Sequence, residues 1–244
     1  MDSRYRITVL TLFPELVEQY FATSIVGKAV DRGALHPDVV NIRDFATDRH
    51  RTCDDAPYGG GPGMVLLPEP LGGALDSVDA EHRHVVFPSP SGTPFTQSVA
   101  QRLSETDGLV LICGRYEGID QRIIDRYVDE ELSLGDYVLS SGELASMVII
   151  DAVYRLREGM IRAESVSDES FQDGLLEYPH YTRPEEYRGQ SVPAVLMSGH
   201  HAQIAAWRRR QKVIKTALNR RDLLDQADLS SDEYREVQHL LEKE

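Results

Sequence analysis

The stretch Leu109-Val110-Leu111-Ile112-Cys113-Gly114-Arg115-Tyr116-Glu117-Gly118-Ile119-Asp120 passes from an apolar run into a turn with two glycines. A second stretch, Leu134-Gly135-Asp136-Tyr137-Val138-Leu139-Ser140-Ser141-Gly142-Glu143-Leu144, repeats that combination. Backbone amides and carbonyls are available at such turns, and glycine lets a flat ligand approach them closely. The two turns predict a small-molecule pocket built mainly from main chain, although each glycine alone is also the default residue of an ordinary turn.

The composition is that of a globular chain without export or membrane signals. Its 244 residues fit one large domain or two smaller ones, and its formal charge of -14 argues against nonspecific binding to nucleic acid. The first residues lack the apolar region of a signal peptide, and no apolar run is long enough to span a bilayer. Cys53 and Cys113 cannot form a disulfide framework and have no metal-ligand spacing. We therefore expect a soluble, cytosolic protein.

Strand and helix patterns alternate through the first part of the chain. Five short β-prone runs occur at Ile7–Leu10, Val39–Ile42, His84–Phe87, Leu109–Cys113 and Tyr137–Leu139. Helices are predicted from Pro14 to Phe21, after the capping residue Thr96, and from Glu143 to Arg157. The run before Gly114 is apolar throughout, which is typical of a strand covered on both faces. The alternation predicts an α/β fold with a mainly parallel sheet.

The chain divides into two parts and a connector. Residues 1–160 carry the alternating pattern, residues 161–174 have little apolar periodicity, and residues 175–244 look helical. The connector is expected to be a flexible linker or lid. In the last part, Ser230-Ser231-Asp232-Glu233 has the form of a capping box that starts a final helix. Four apolar residues there fall on one helix face: Ile204, Trp207, Ile214 and Leu218.

Basic residues are concentrated at two places in this acidic chain. The segment from His200 to Arg221 holds seven lysines or arginines and no carboxylate, and a second cluster comprises Arg43, Arg49, His50 and Arg51. A basic run is commonly a solvated helix face. Inside an acidic protein it also indicates a local phosphate-binding surface.

Several common sites are excluded by their missing motifs. No G-x-G-x-x-G follows the first strand, no Gly-Lys-Ser/Thr loop is present, the histidines have no zinc spacing with either cysteine, and there is no G-x-S-x-G elbow. Residues Gly59–Met64 are glycine-rich. They are either a plain flexible loop or a backbone surface that approaches another chain or RNA.

Motifs spread over nearly the whole chain occur together in one known family. They are Leu12–Glu15, Arg43–Phe45, Asp48–Thr52, Asp54–Asp55, Pro57–Met64, Cys113–Asp120, Gly135–Ser140, Asp173–Leu176, Pro179–Pro184 and Ser198–Ala202. On these residues the chain resembles the bacterial tRNA (guanine-N1)-methyltransferases, the TrmD family of the SPOUT class, which modify the guanine just 3′ of the anticodon.

The resemblance implies features that spacing alone does not give. It implies a deep trefoil knot in the N-terminal domain, which simple topology rules would exclude, and a small helical domain that binds tRNA. It implies a homodimer in which the partner's lid and C-terminal domain complete each active site. It also implies S-adenosylmethionine, bound in a bent form by three loops. The implied cofactor-binding residues are Pro88, Ser89, Pro90, Gly114, Tyr116, Gly118, Leu134, Gly135, Asp136, Tyr137, Val138, Leu139, Ser141 and Gly142.

The implied catalytic residues suit the chemistry of guanine N1. That nitrogen carries a proton, so its methylation needs a base and a donor that stabilises charge on O6. The resemblance places the base at Glu169, where the family more usually has aspartate, so the adjacent Asp168 is the alternative. Arg155 matches the arginine that holds the guanine, and Glu117 matches a carboxylate near the cofactor and the target base. Without the resemblance, the two lid residues would be solvated linker charges and Arg155 a helix-surface charge.

Further expectations concern RNA, metal and two departures from the family pattern. The predicted RNA-binding residues are Arg49, His50, Arg51, Gly60, His180, Arg183, Arg208 and Arg209. The resemblance implies a magnesium-dependent enzyme, although the sequence shows no dedicated metal cage. Ser141 stands where a glycine is common and Ala145 where a proline is common, so the shape of the cofactor loop is open.

Three functions remain open on the sequence. The first is a tRNA guanine-N1 methyltransferase, which the pairing of Arg155 with a lid carboxylate favours. The second is a related SPOUT methyltransferase with another RNA target. The third is a nonenzymatic module that binds RNA or a nucleotide and in which the lid carboxylates have no role.

Overall fold

The structure is a computed structural model, and it describes residues 5–157, 160, 170–171 and 173–242. The chain divides into two compact units, Met1–Ile161 and Arg162–Glu244. Each unit contains a hydrophobic core of its own.

The first unit is built on a parallel sheet. Its strands are β1 (Tyr5–Thr11), β2 (Leu35–Asn41), β3 (Asp54–Asp55), β4 (Val65–Leu66), β5 (His84–Pro94), β6 (Gly108–Ile112) and β7 (Glu130–Ser133). Five of them form one sheet in the order β2-β1-β6-β5-β7 with every neighbouring pair parallel, and β3 and β4 form a separate antiparallel pair. The predicted α/β class with a parallel sheet is confirmed.

Helices connect the strands, as parallel pairing requires. They are α1 (Pro14–Phe21), α2 (Ser24–Asp31), α3 (Pro68–Ser77), α4 (Gln97–Ser104), α5 (Gln121–Tyr127) and α6 (Gly142–Tyr154). Pro14 occupies the first turn of α1, and the Thr96 hydroxyl caps α4 by accepting from the Val99 amide, as predicted.

Both faces of the sheet are covered, and the central strands alternate accordingly. Tyr5, Ile7 and Val9 of β1 pack with α1, α2, α4 and α6, whereas Leu10 packs on the opposite face with α3 and α5. Successive strand residues point to opposite faces, so a strand buried on both sides is usually apolar at successive positions. This is why the apolar run of β6 correctly predicts a central strand.

The predicted fifth strand was wrong. β7 is formed by Glu130–Ser133, whereas Tyr137–Leu139 lie in an irregular loop where the Val138 side chain is 85% exposed. β7 is an edge strand that begins with two glutamates, so it lacks the apolar run that identifies a central strand. The boundaries of other elements also shift: β2 reaches back to Leu35, and α6 ends at Tyr154 rather than at Arg157.

The second unit is mainly helical. It contains α7 (Ala194–Met197), α8 (His201–Asn219), a 3-10 helix (Arg221–Gln226), α9 (Ser231–Leu241) and a hairpin of β8 (Glu186–Tyr187) with β9 (Gln190–Ser191). Leu175, Val213, Ala217 and Val237 form its core. The predicted capping box of Ser230 and Glu233 is confirmed. Every helix of the described residues is too short or too polar to cross a membrane.

The predicted apolar face of α8 was partly wrong. Leu218 is 44% exposed, while the buried residues of the helix are Lys212, Val213, Thr216 and Ala217. Lys212 and Thr216 are polar, so a search for apolar residues at helical spacing does not identify this buried face. The Lys212 ammonium donates to Asp173 over 2.9 Å, and the Thr216 hydroxyl accepts from the Leu176 amide over 2.8 Å. These partners satisfy the buried polar groups.

Candidate active site

A cavity of about 500 Å³ lies in the first unit where β5 bulges and where β6 and β7 end. Residues 87–91, residues 114–119 and most of residues 131–142 line it, together with Gln121, Ile124 and Ala145. The carboxyl edge of a parallel sheet is the usual ligand-binding side of such folds. The volume is within the range of cofactor and drug-sized pockets.

Backbone contacts hold the loop after β7 onto the loop after β6. The Gly142 amide donates to the Gly114 carbonyl over 2.8 Å, and a Cβ atom on Gly142 would lie 2.5 Å from the Gly114 nitrogen. A side-chain link adds to this, because Arg115 Nη1 donates to the Ser140 carbonyl over 3.1 Å. The Arg115 guanidinium also lies over the Phe13 ring, 4.2 Å from its centroid. Since these loops touch through main chain, residue 142 must have no side chain.

The cavity walls combine apolar side chains with a few charges. Ile119, Leu134, Val138, Leu139 and Ala145 supply apolar surface, and Arg115, Glu117 and Glu131 supply charge. Glu131 Oε2 accepts a hydrogen bond from the Ser91 hydroxyl over 3.3 Å. A flat aromatic group would fit the apolar part, and a cationic group would be attracted to the carboxylates.

The cavity gathers the residues predicted to bind a cofactor, with one exception. All of them line it except Asp136. Glu117, from the catalytic set, lines it as well. Sequence reasoning missed Arg115, Ser91 and Glu131. Glu131 was missed because the strand that carries it was not recognised, whereas Arg115 lay within the quoted motif and was identifiable.

A buried carboxylate fixes the start of α6. Glu143 is fully buried in the first turn of α6, and its Oε1 accepts from the Thr11 hydroxyl at the end of β1 over 2.7 Å. Its Oε2 has no hydrogen-bond partner among the described protein atoms. The helix dipole favours a negative charge at this position. Glu143 therefore ties the start of α6 to β1, a role that sequence reasoning did not assign.

Arg155 lies apart from this cavity. It lines a separate concavity of about 330 Å³ with Tyr20, Ser24 and Asp151, just beyond the carboxyl end of α6. The Tyr20 hydroxyl donates to Asp151 over 3.2 Å. Burial and the neighbouring Asp151 both raise the pKa of Tyr20, so its hydroxyl stays protonated. Within one chain, the structure does not bring Arg155 to the residues of the larger cavity.

The chain is similar in sequence to proteins of one known family. Residues 5–226 match the family model described as tRNA (Guanine-1)-methyltransferase TrmD. The chain belongs to the TrmD family. It is 59% identical over 222 residues to the tRNA (guanine-N(1)-)-methyltransferase of Treponema denticola, covering 91% of each chain. It is 55% identical to that of Treponema pallidum, covering 97% of this chain and 95% of the relative, and 53% identical to that of Borreliella burgdorferi, covering 89% and 92%.

The lid carboxylates remain predictions in this TrmD-family chain, and so does the dependence on magnesium that the resemblance implies. Asp168 and Glu169 lie outside the described residues. In the described ranges, no group of three or more His, Cys, Asp or Glu side chains is arranged to hold a metal ion. Those residues thus do not fit a dedicated magnesium site, and we assign no step to a metal.

The close approach at Gly142 gives a first testable prediction. We expect Gly142→Val to weaken S-adenosylmethionine binding by ~10–100-fold, the equivalent of ~1–3 kcal/mol of overpacking. The added side chain would push the loop after β7 away from Gly114, because main-chain atoms block its place. Calorimetric titration measures the change. Gly72→Ala is a control, since its Cβ would meet only the Ile123 Cδ1 atom at 3.5 Å. Equal affinities in both variants would contradict the prediction.

The predicted RNA-binding residues of the first unit form an exposed loop. Arg49, His50 and Arg51 are all exposed, and Arg51 pairs with Asp44 over 3.1 Å. Asp48 holds the loop by accepting from the His50 and Thr52 amides. These hydrogen bonds, the one from Thr52 above all, lower the pKa of Asp48. Gly60 has open space around it, with no atom within 4 Å of an added Cβ.

The predicted RNA-binding residues of the second unit are partly engaged with protein. Arg209 donates to Glu233 over 2.7 Å and to the Asp228 carbonyl over 2.6 Å. Arg208 lies over the Tyr178 ring at 4.8 Å, and His180 pairs with Glu177 over 2.8 Å. Arg183 is exposed. The basic run alone cannot reveal the partners of Arg208 and Arg209, because they come from distant positions in the sequence.

The contacts of Arg209 predict a role in stability. We expect Arg209→Ala to lower the free energy of unfolding by about 1.5 kcal/mol, as for other hydrogen bonds to charged groups. Arg210→Ala is the matched control and should cost at most ~0.5 kcal/mol, since its pair with Glu236 is more exposed. Urea denaturation of both variants measures the difference, and equal losses would contradict it.

The contact between Arg209 and Glu233 makes the difference in stability between the parent and Arg209→Ala depend on pH. Hydrogen bonds from Arg209, the largest cause, and from Ser230 lower the pKa of Glu233 from 4.5 to about 2. A depressed carboxyl pKa contributes stability above the unfolded value that is lost as the pH falls through the folded value. The gap between the parent and Arg209→Ala should therefore shrink as the pH falls from 4.5 towards 2.

Proposed function

We propose that this chain transfers a methyl group from S-adenosylmethionine to N1 of the guanine immediately 3′ of the anticodon of tRNA. The observation that carries the proposal is the cavity that gathers Pro88, Gly114, Tyr116, Leu134 and Gly142. Membership of the TrmD family supports the reaction. Because tRNA is the substrate, we place the activity in the cytoplasm.

The cavity residues fit the proposed cofactor. Ile119, Leu134 and Val138 offer apolar surface for an adenine ring, and glycines bring backbone groups close to it. Glu117 and Glu131 offer negative charge to a positively charged sulfur. When bound, S-adenosylmethionine supplies a methyl group already activated on that sulfur. What the chain must add is an unprotonated N1 on the guanine.

We assign the proton transfer to the lid. Glu169, or Asp168 beside it, accepts the N1 proton and leaves on N1 the electron pair that would form the new bond to the methyl carbon. The bond between the methyl carbon and sulfur would break at the same time, with its electron pair staying on the sulfur, which becomes a neutral thioether. Arg155 donates to O6, where negative charge develops as the proton leaves. Arginine suits this role because it remains charged at every relevant pH.

The separation of Arg155 from the cavity supports a homodimer. α6 has 13 residues and is therefore ~20 Å long. The cofactor cavity lies at its amino end and Arg155 at its carboxyl end. If the cavity and Arg155 act on the same guanine, the arginine must come from a second copy of the chain. Leu144 and Val148, one helical turn apart on α6, are 46% and 51% exposed and offer an apolar contact.

A twofold axis across α6 would bring these parts together. In an isologous dimer the same patch meets itself, so two copies of α6 that cross antiparallel place the carboxyl end of one beside the amino end of the other. Each cavity would then receive Arg155 of the partner subunit. We also propose the trefoil knot of the SPOUT class. The backbone contact of Gly142 with Gly114 supports it, because the chain returns after β7 to the end of β6.

We propose that local basic surfaces gather the tRNA. The chain is acidic as a whole, so its overall field repels RNA. Arg49, His50, Arg183 and Arg208 are exposed and suit phosphate or base contacts. Arg209 is a weaker candidate, since its guanidinium is held by Glu233.

Methyl transfer to an unmodified tRNA transcript tests the proposal. The parent chain is incubated with labelled S-adenosylmethionine, and the nucleosides are then identified by mass spectrometry. We expect 1-methylguanosine from a transcript with guanine 3′ of the anticodon and none when that base is adenine. Methylation of another RNA or position would favour the related SPOUT enzyme. Binding without transfer would favour the nonenzymatic module.

A further inference from the structure

The glycine-rich loop, residues 59–64, meets the loop after β6 where Gly63 faces Glu117. A Cβ atom on Gly63 would lie 2.3 Å from Glu117 Oε1, 2.5 Å from its Cγ and 2.8 Å from its Cδ. The whole outer part of the glutamate side chain therefore occupies the space that a side chain at residue 63 would need. Glu117 is also one of the charged residues that line the cofactor cavity.

The backbone at this junction leaves little freedom to adjust. The Glu117 amide donates to the Met64 carbonyl over 3.0 Å, and the Leu66 amide donates to the Gly118 carbonyl over 3.0 Å. Tyr116, the residue before Glu117, already has φ of +57°, a left-handed conformation that is unusual for a residue other than glycine. A displaced Glu117 side chain must therefore rotate away, since its main chain is held on both sides.

We infer that Gly63 is a positioning residue for Glu117. Because Gly63 has no side chain, the Glu117 side chain can lie against the glycine-rich loop and present its carboxylate to the cavity. This inference rests on the proposed function, in which Glu117 is near the cofactor and the target base. Gly63 acts only through Glu117.

Gly59 provides a matched control. Both glycines have φ of +88°, so alanine meets the cost of a positive φ at either position. They differ in surroundings, because a Cβ on Gly59 would meet no atom within 4 Å. A comparison of Gly63→Ala with Gly59→Ala therefore separates the contact with Glu117 from the cost of a positive φ.

The test is a double-mutant cycle read by tRNA methylation. We expect Gly63→Ala to lower kcat by ~10–100-fold, the size of effect that a misplaced catalytic group produces, while Gly59→Ala stays within about twofold of the parent. In a Glu117→Ala background, adding Gly63→Ala should change kcat by less than about twofold, because no carboxylate remains to displace. Equal kcat in the two glycine variants, or independent effects of Gly63→Ala and Glu117→Ala, would overturn the inference.

Two further measurements distinguish failure of this inference from misfolding of a variant and from failure of the proposed function. If Gly63→Ala unfolds, the same substitution with Glu117→Ala should fold, as circular dichroism can measure. Unfolding in both backgrounds would also overturn the inference. If the parent chain itself forms no 1-methylguanosine, the proposed function has failed rather than the role of Gly63.

Discussion

We expect the Glu169→Gln variant to lower kcat by ~10²–10⁴-fold while its affinity for S-adenosylmethionine stays within about twofold of the parent. The amide has nearly the shape of the carboxylate but cannot accept the N1 proton. The segments that line the cavity proposed to bind the cofactor lie elsewhere in the sequence, at residues 87–91, 114–119 and most of 131–142. Single-turnover methylation measures the first quantity, and calorimetry measures the second.

Asp168→Asn is the matched control for this prediction. It removes an adjacent carboxylate from the same segment, so any general effect of charge on tRNA binding appears in both variants. If Asp168→Asn loses activity and Glu169→Gln keeps it, Asp168 is the base. If both variants keep full activity, proton abstraction by the lid is wrong, while cofactor binding by the three loops is unaffected.

The central part of the fold is predictable because local sequence determines it. β6 is buried on both faces, and this burial leaves a continuous apolar run that can be recognised in the sequence, whereas β1 has a shorter apolar run after the buried Thr8. β7 has a solvent edge, and its Glu130 pairs with Arg102 and His84. Its polar residues are thus satisfied by partners from other elements, which no local pattern reveals.

The same distinction applies to the candidate site. Turn glycines such as Gly114 and Gly142 mark the cavity, because a side chain at residue 142 would meet the main chain of residues 113 and 114 and one at residue 114 would meet the Phe87 ring. The position of Arg155 cannot be read in this way, because it depends on the length and direction of α6. The pairing of Arg209 with Glu233 likewise joins positions far apart in sequence. Motifs identify which residues matter, and tertiary structure decides where each one acts.

The second large effect is the loss of activity that we expect when Arg155 is replaced, because Arg155 lies apart from the cavity proposed to bind the cofactor. We expect Arg155→Ala to lower kcat by ~10²–10³-fold, the usual loss when one donor to a developing oxyanion is removed. Gly142→Val should also show little activity when the cofactor concentration is kept well below its weakened Kd. If the arginine acts across a dimer, a hybrid of these two variants contains one intact site. That site joins the cavity of the Arg155→Ala chain to Arg155 of the partner subunit.

Mixing the two variants therefore distinguishes action within one chain from action between chains. Random exchange makes about half of the dimers hybrids with one intact site of two, so we expect about a quarter of the parent rate. Two different affinity tags allow the hybrids to be purified and their formation verified. A mixture of Arg155→Ala with Arg155→Ala,Gly142→Val is the control, since none of its dimers has an intact site. Hybrids that form without recovering activity would contradict the action of Arg155 between chains. The loss of activity in Arg155→Ala would then come from an effect within its own chain.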